Sequence, residues 1–180
     1  SEPMIVEDNN SWKDLSANGI TDLGMAFEEL TSMLSRKKFL KSPSLSYAPV
    51  IFLMTDGYPT DNYKKGLEKL KNNNWYKYGM KIALGIGDYF DESVLEEFTE
   101  NKELVVKAAN SSQLAKLIKT IAVTSSQIAS KSMTIVSDEE NELDYEDVEG
   151  NKQKEMVKIV QDTVSDDEFI ETLELEDGWD

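Results

Sequence analysis

From residue 22 to about 39, apolar side chains recur at Leu23, Ala26, Phe27, Leu30 and Leu34. That three-and-four spacing puts them on one stripe, so an amphipathic helix is expected. Pro43 and Pro49 bracket a loop after it. Val50-Ile51-Phe52-Leu53-Met54 then runs apolar without alternation, the pattern of a strand covered on both faces. Gly57 and Pro59 interrupt the chain at once, and Tyr63, Leu67 and Leu70 mark a short helix from about 61 to 72. Lys81-Ile82-Ala83-Leu84-Gly85-Ile86-Gly87 reads as a second buried strand, Val94, Leu95 and Phe98 as another short helix, and Leu104-Val105-Val106 as a third strand. A last helix carries the stripe Leu114, Leu117, Ile118, Ile121 and Ala122, with Ser111 or Ser112 as its expected cap. Met4-Ile5-Val6 looks like the stub of one more strand. Strands alternating with helices point to parallel strands joined by helical crossovers, an α/β, Rossmann-like, doubly wound and mostly parallel sheet.

Charge changes this picture at one place. Residues 1–136 carry 17 acidic and 16 basic side chains, whereas residues 137–180 carry 18 and 3. The break falls at Ser137-Asp138-Glu139-Glu140, so two parts are expected: a near-neutral globular part, 1–136, and an acidic C-terminal segment, 137–180. Within the segment, 137–152 is expected to be solvated and without fixed structure, while Met156, Val157, Ile159, Val160 and Val164 suit a short helix or strand. Glu168-Phe169-Ile170-Glu171-Thr172-Leu173-Glu174-Leu175-Glu176, ending near Trp179, interleaves acids with large apolar residues in the manner of docking segments. Phe169, Ile170, Leu173, Leu175 and Trp179 are therefore candidate partner contacts.

Composition limits the chemistry. The chain has no cysteine and no histidine, which excludes disulfides, thiolate and imidazole metal sites, and Ser–His or Cys–His catalysis. Any metal must sit among oxygen ligands, which favours Mg2+, Ca2+ or Mn2+. A net charge of −16 argues against nucleic acid as a partner, and no apolar run approaches the roughly 18 residues of a membrane span. A cytoplasmic setting is the expectation.

Open α/β sheets bind their ligands at the C-terminal ends of the strands. Thr55-Asp56-Gly57 follows the strongest strand directly, and Gly19-Ile20-Thr21-Asp22-Leu23-Gly24 opens the first long helix. Asp56 offers a carboxylate and Thr21 a hydroxyl, a partial oxygen-ligand set for a hard cation, while Asp22 is suited to favour the helix dipole. On spacing alone, Asp-Gly after a strand is more often only a turn. Trp12, Trp75 and Tyr76-Lys77-Tyr78 are read as core and rim packing, Asp88, Asp91 and Glu92 as turn or cap residues, and Gly85-Ile86-Gly87 lacks the third glycine of a dinucleotide loop.

Val50-Ile51-Phe52-Leu53-Met54-Thr55-Asp56-Gly57-Tyr58-Pro59-Thr60-Asp61 resembles the third metal-site motif of von Willebrand factor type A (VWA) domains, especially bacterial intracellular ones of the tellurium-resistance type. Gly19-Ile20-Thr21-Asp22-Leu23-Gly24-Met25-Ala26 resembles the second motif of that family, a Gly-x-Thr-x-Leu-Gly turn into a helix. The likeness covers about residues 4–130. It implies a Rossmann-like fold with a metal-ion-dependent adhesion site, in which Thr21 and Asp56 hold Mg2+ and a carboxylate from a protein partner completes the shell. Asp22 and Tyr58 then become candidate partner contacts beside the ion.

The first motif of the family, Asp-x-Ser-x-Ser, occurs nowhere in the 180 residues. Relative to the family, the domain is N-terminally incomplete, and the site on this chain is incomplete with it. Three explanations stand: the missing piece lies on a separate chain or fragment, it lies outside these 180 residues, or another element such as the C-terminal segment fills the gap. The first two are favoured. The resulting expectation is a non-enzymatic, metal-dependent protein–protein interaction module in a bacterial stress-response or defence assembly. The alternative is a Mg2+-dependent hydrolase or phosphotransferase using Asp56 and Asp61, for which no general base or phosphate-cradling loop is visible.

Overall fold

A computed structural model describes residues 19–35, 37–38, 49–135 and 145–165. Met4-Ile5-Val6, Trp12, Phe169, Ile170, Leu173, Leu175 and Trp179 lie outside the described residues. The chain divides into two compact units, one formed by residues 1–46 and 59–77, the other by 47–58 and 78–180.

In the first unit, α1 (Leu23–Met33) packs against α2 (Tyr63–Lys71), followed by the short α3 (Asn74–Lys77). Leu23, Phe27 and Leu34 from the first stretch and Leu67, Leu70 and Tyr76 from the second are buried. The two helices meet through glycines. A Cβ on Gly66 would lie 2.3 Å from the Gly24 carbonyl oxygen, so the α1 backbone passes directly over Gly66. The first helix ends at Met33 rather than near 39. Asn73 Nδ2 donates to the carbonyls of Thr31 and Leu34 at 3.3 and 3.0 Å, satisfying last-turn acceptors that a longer helix would have used internally. Its apolar spacing could not reveal a terminator some forty residues away.

The second unit holds the sheet. β1 (Val50–Thr55), β2 (Met80–Ile86) and β3 (Val105–Ala108) are parallel and adjacent in that order, as the alternation of strands and helices predicts. Thr55 pairs in register with Gly85, and Gly85 with Lys107. β2 lies in the middle and is buried almost throughout, as its continuous apolar run requires. β1 departs from expectation: only Ile51 and Thr55 are buried, and Met54 is 49% exposed. Its composition suits an interior strand, but among the described residues β1 is an edge. Gly85 is where the ring of Phe90 lies against the strand, its atoms 2.2–2.5 Å from where a Cβ would stand, so this glycine serves packing.

α4 (Glu92–Thr99) packs on β2, and a 3₁₀ turn (Lys102–Leu104) leads into β3. Asp91 caps α4, its Oδ1 accepting from the Ser93 amide at 3.1 Å, which matches its reading as a cap. α5 (Ser111–Ile135) is capped by Asn110 and not by a serine: the Gln113 amide donates to Asn110 Oδ1 at 2.9 Å, and Gln113 Oε1 accepts from the Ala109 amide. Asn110-x-x-Gln113 is a capping-box spacing, legible in the sequence but passed over for the serines beside it.

α6 (Tyr145–Val164) packs against α5 and begins inside the stretch expected to lack fixed structure. Met156, Val157 and Val160 share one core with Ile82, Leu84, Leu104, Val106, Leu117 and Ile121. Burial of that apolar stripe outweighs the acidic bias around it, which a charge count cannot anticipate.

Candidate functional site

Thr55 ends β1 with its side chain turned back on the chain. Its hydroxyl donates to the Gly57 carbonyl at 3.0 Å and accepts from the Gly57 amide at 3.3 Å. Those two bonds close a tight turn and leave Asp56, at its apex, exposed to solvent. Tyr58, the next side chain along, is 57% exposed. Thr55, buried and bonded, was read only as part of the strand-end motif. It closes the turn on which Asp56 stands.

The loop that leads into α1 lies in the first unit. Asp22 occupies the N-cap position of α1, but its side chain makes no capping bond. Its Oδ1 instead accepts from the Thr60 hydroxyl at 3.0 Å. The capping is done from a distant part of the sequence: Gly24 N–H donates to Asp61 Oδ1 at 3.0 Å and Met25 N–H to Asp61 Oδ2 at 3.1 Å. Thr60 N–H donates to the Thr21 carbonyl at 2.9 Å. The structure thus brings together Thr21, Asp22, Thr60 and Asp61. Gly24 permits this approach, since a Cβ there would stand 2.6 Å from Asp61 Oδ2. Gly24 was legible as part of the turn-into-helix motif, but the role of Asp61 as its cap was not.

Asp56 and Tyr58 belong to the second unit and Thr21 and Asp22 to the first. The donor set named in the sequence is one hydroxyl and one carboxylate, which matches the all-oxygen preference of Mg2+ and supplies two of its roughly six positions. Among the described residues no cluster of three acidic side chains forms a metal site by itself. Asp88, at the end of β2, pairs with Lys107, and Asp91 is held by its capping role. The five apolar candidates between Phe169 and Trp179 fall outside the described residues, and no helix among those described is long and apolar enough to cross a membrane.

No family model, curated protein or solved structure matches the chain.

Proposed function

We propose that residues 1–136 are the C-terminal portion of a VWA-like interaction module, doubly wound like that family, in which Thr21 and Asp56 contribute to a Mg2+ site that a protein partner completes. One observation carries this reading: an exposed carboxylate, Asp56, stands on a hydrogen-bonded turn at the C-terminal end of a parallel strand, where open α/β sheets present their ligand sites. Among the described residues β1 is a half-exposed apolar edge strand, which suits a neighbouring element beside it. The hydrolase alternative has less support, because the Asp61 carboxylate is engaged by two α1 backbone amides and no general base is visible beside Asp56 among the described residues. Thr21 and Asp56 would hold the ion, which supplies a positive charge to a partner carboxylate.

Intact-mass analysis of the complex isolated through a tag on this chain tests the reading. With Mg2+ a second polypeptide should accompany the chain. EDTA, Thr21→Ala and Asp56→Ala should each release it. The chain alone should bind Mg2+ weakly, since two ligands leave most of the shell to water. Partner retention indifferent to all three treatments, or tight stoichiometric Mg2+ binding by the isolated chain, would refute this account. The cytoplasmic, stress-response setting is part of the same proposal and rests on the tellurium-resistance likeness.

A further inference from the structure

We infer that Asp61 is a positioning residue: its carboxylate, seated on two backbone amides of α1, holds the start of that helix against Thr60-Asp61, where Thr60 bonds the Thr21 carbonyl and the Asp22 carboxylate, and so sets how Thr21 is presented. The bearing on metal affinity rests on the interaction-module reading, whereas the bearing on the loop does not.

The first amides of a helix have no partner inside it, and the residue ahead of them ordinarily supplies one. Asp22 has the right identity and position for that task, yet its carboxylate is turned to the Thr60 hydroxyl. Asp61 takes the vacated role with one oxygen on each of two successive amides, Gly24 and Met25. These bonds are charge-assisted, and the negative charge lies at the positive end of the α1 dipole. Together with the Thr60 amide on the Thr21 carbonyl, four hydrogen bonds tie Thr60-Asp61 to Thr21–Met25.

Gly19 is exposed and Ile20 is 73% exposed, whereas Leu23, 6% exposed, anchors the start of α1 in the core. Between the exposed Ile20 and the buried Leu23, the bonds from Thr60 to the Thr21 carbonyl and the Asp22 carboxylate hold Thr21 in place. Within the first unit, Thr60-Asp61, the end of one stretch read as a metal motif, and residues 21–25 of the other form the two halves of one clamp. Gly24 is the position that lets the halves close, since a side chain there would displace the Asp61 carboxylate.

Amide hydrogen exchange and chemical shifts of the full chain, measured by NMR, test the assignment. In Asp61→Ala the Gly24 and Met25 amides should exchange at least about tenfold faster and the Thr21 and Asp22 resonances should move, while Leu67 and Leu70 in α2 keep their protection. Asp61→Asn provides a second reading should the alanine variant fold poorly. Its single carboxamide oxygen can serve one amide while its NH2 group faces the other, so one of Gly24 and Met25 should stay protected and the other should not. A residue with only a general structural role would instead loosen α1 and α2 alike. Equal loss across both helices, or unchanged Gly24 and Met25 in Asp61→Ala, overturns the assignment. Mg2+ added to the same samples separates the two proposals. Weakening by about tenfold in Asp61→Asn, of any shift that Mg2+ causes at Thr21 in the parent chain, extends the positioning to the metal. Where Thr21 of the parent chain alone does not respond to Mg2+, as its incomplete ligand set allows, the exchange pattern alone decides the role of Asp61.

Discussion

Gly66→Ala gives the sharpest test of how the first unit is held together. Gly66 is interior to α2, where replacing glycine by alanine ordinarily stabilises a helix by about 1 kcal/mol. Here the new methyl group would lie 2.3 Å from the Gly24 carbonyl oxygen and 3.0 Å from the Gly24 carbonyl carbon and Cα. Non-bonded carbon contacts rest near 3.5 Å, so α1 must retreat by about 1 Å. The obstacle is backbone, with no rotamer to give way. Overpacking of this kind costs about 1–3 kcal/mol, and the upper half of that range exceeds the propensity gain. The expected net change is a loss of about 1–2 kcal/mol, read by urea denaturation as a midpoint lowered by roughly half to one molar. Lys65→Ala, one position away and exposed, is the control and should stay within about 0.5 kcal/mol. Gly24→Ala should destabilise through the same crossing, because its Cβ would meet Asp61 Oδ2 at 2.6 Å and the Asn62 carbonyl at 3.0 Å. The double variant should lose less than the two single losses combined, since either one already separates the helices. A raised midpoint in Gly66→Ala would refute the reasoning, showing that helix propensity outweighs the crossing.

Other outcomes follow from the second unit and from the helix pair. Lys81 Nζ lies 2.9 Å from Glu100 Oε2 with the lysine side chain only 4% exposed, so Glu100→Ala should cost about 2 kcal/mol by leaving a buried charge underpaired, and Lys81→Met less; thermal melts showing the reverse order would refute this. Met156→Ala should lower stability by about 2–5 kcal/mol in urea, and an unchanged midpoint would mean that α6 does not share the core. Deleting residues 166–180 should weaken partner retention in the tagged complex without moving the thermal melt; unchanged retention would reduce those residues to a solubilising tail. The Glu28 carboxyl is held below its ordinary value of 4.5 first by a hydrogen bond from Lys69 and then by the charge of Lys69. A lowered folded-state value means the pair stabilises the fold above 4.5 and loses that contribution as pH falls through the lower value, so Glu28→Gln should flatten the acid limb of stability, by a small amount because both side chains are about half exposed.

What the sequence determined by itself is local in origin. The order of strands and helices, the parallel β1–β2–β3 arrangement and the burial of β2 follow from apolar periodicity, because a run such as Ile82-Ala83-Leu84 has one economical way to leave water. The turn at Asp56 and the cap at Asp91 were legible for the same reason: a few adjacent residues form each of them. Tertiary structure decided everything that joins distant stretches. Asp22 has every local qualification to cap α1, and Asp61, 37 residues beyond Gly24, does so instead. Asn73 ends the same helix from a comparable distance, and the carbonyl of Gly24 sets what Gly66 can be. Only tertiary packing seats α6, whose acidic surroundings argue for solvation while Met156 and Val160 argue for burial. A side chain's neighbours along the chain fix its propensity, but hydrogen-bond partners and close contacts are settled by which surfaces meet, and one chain read in order does not record that.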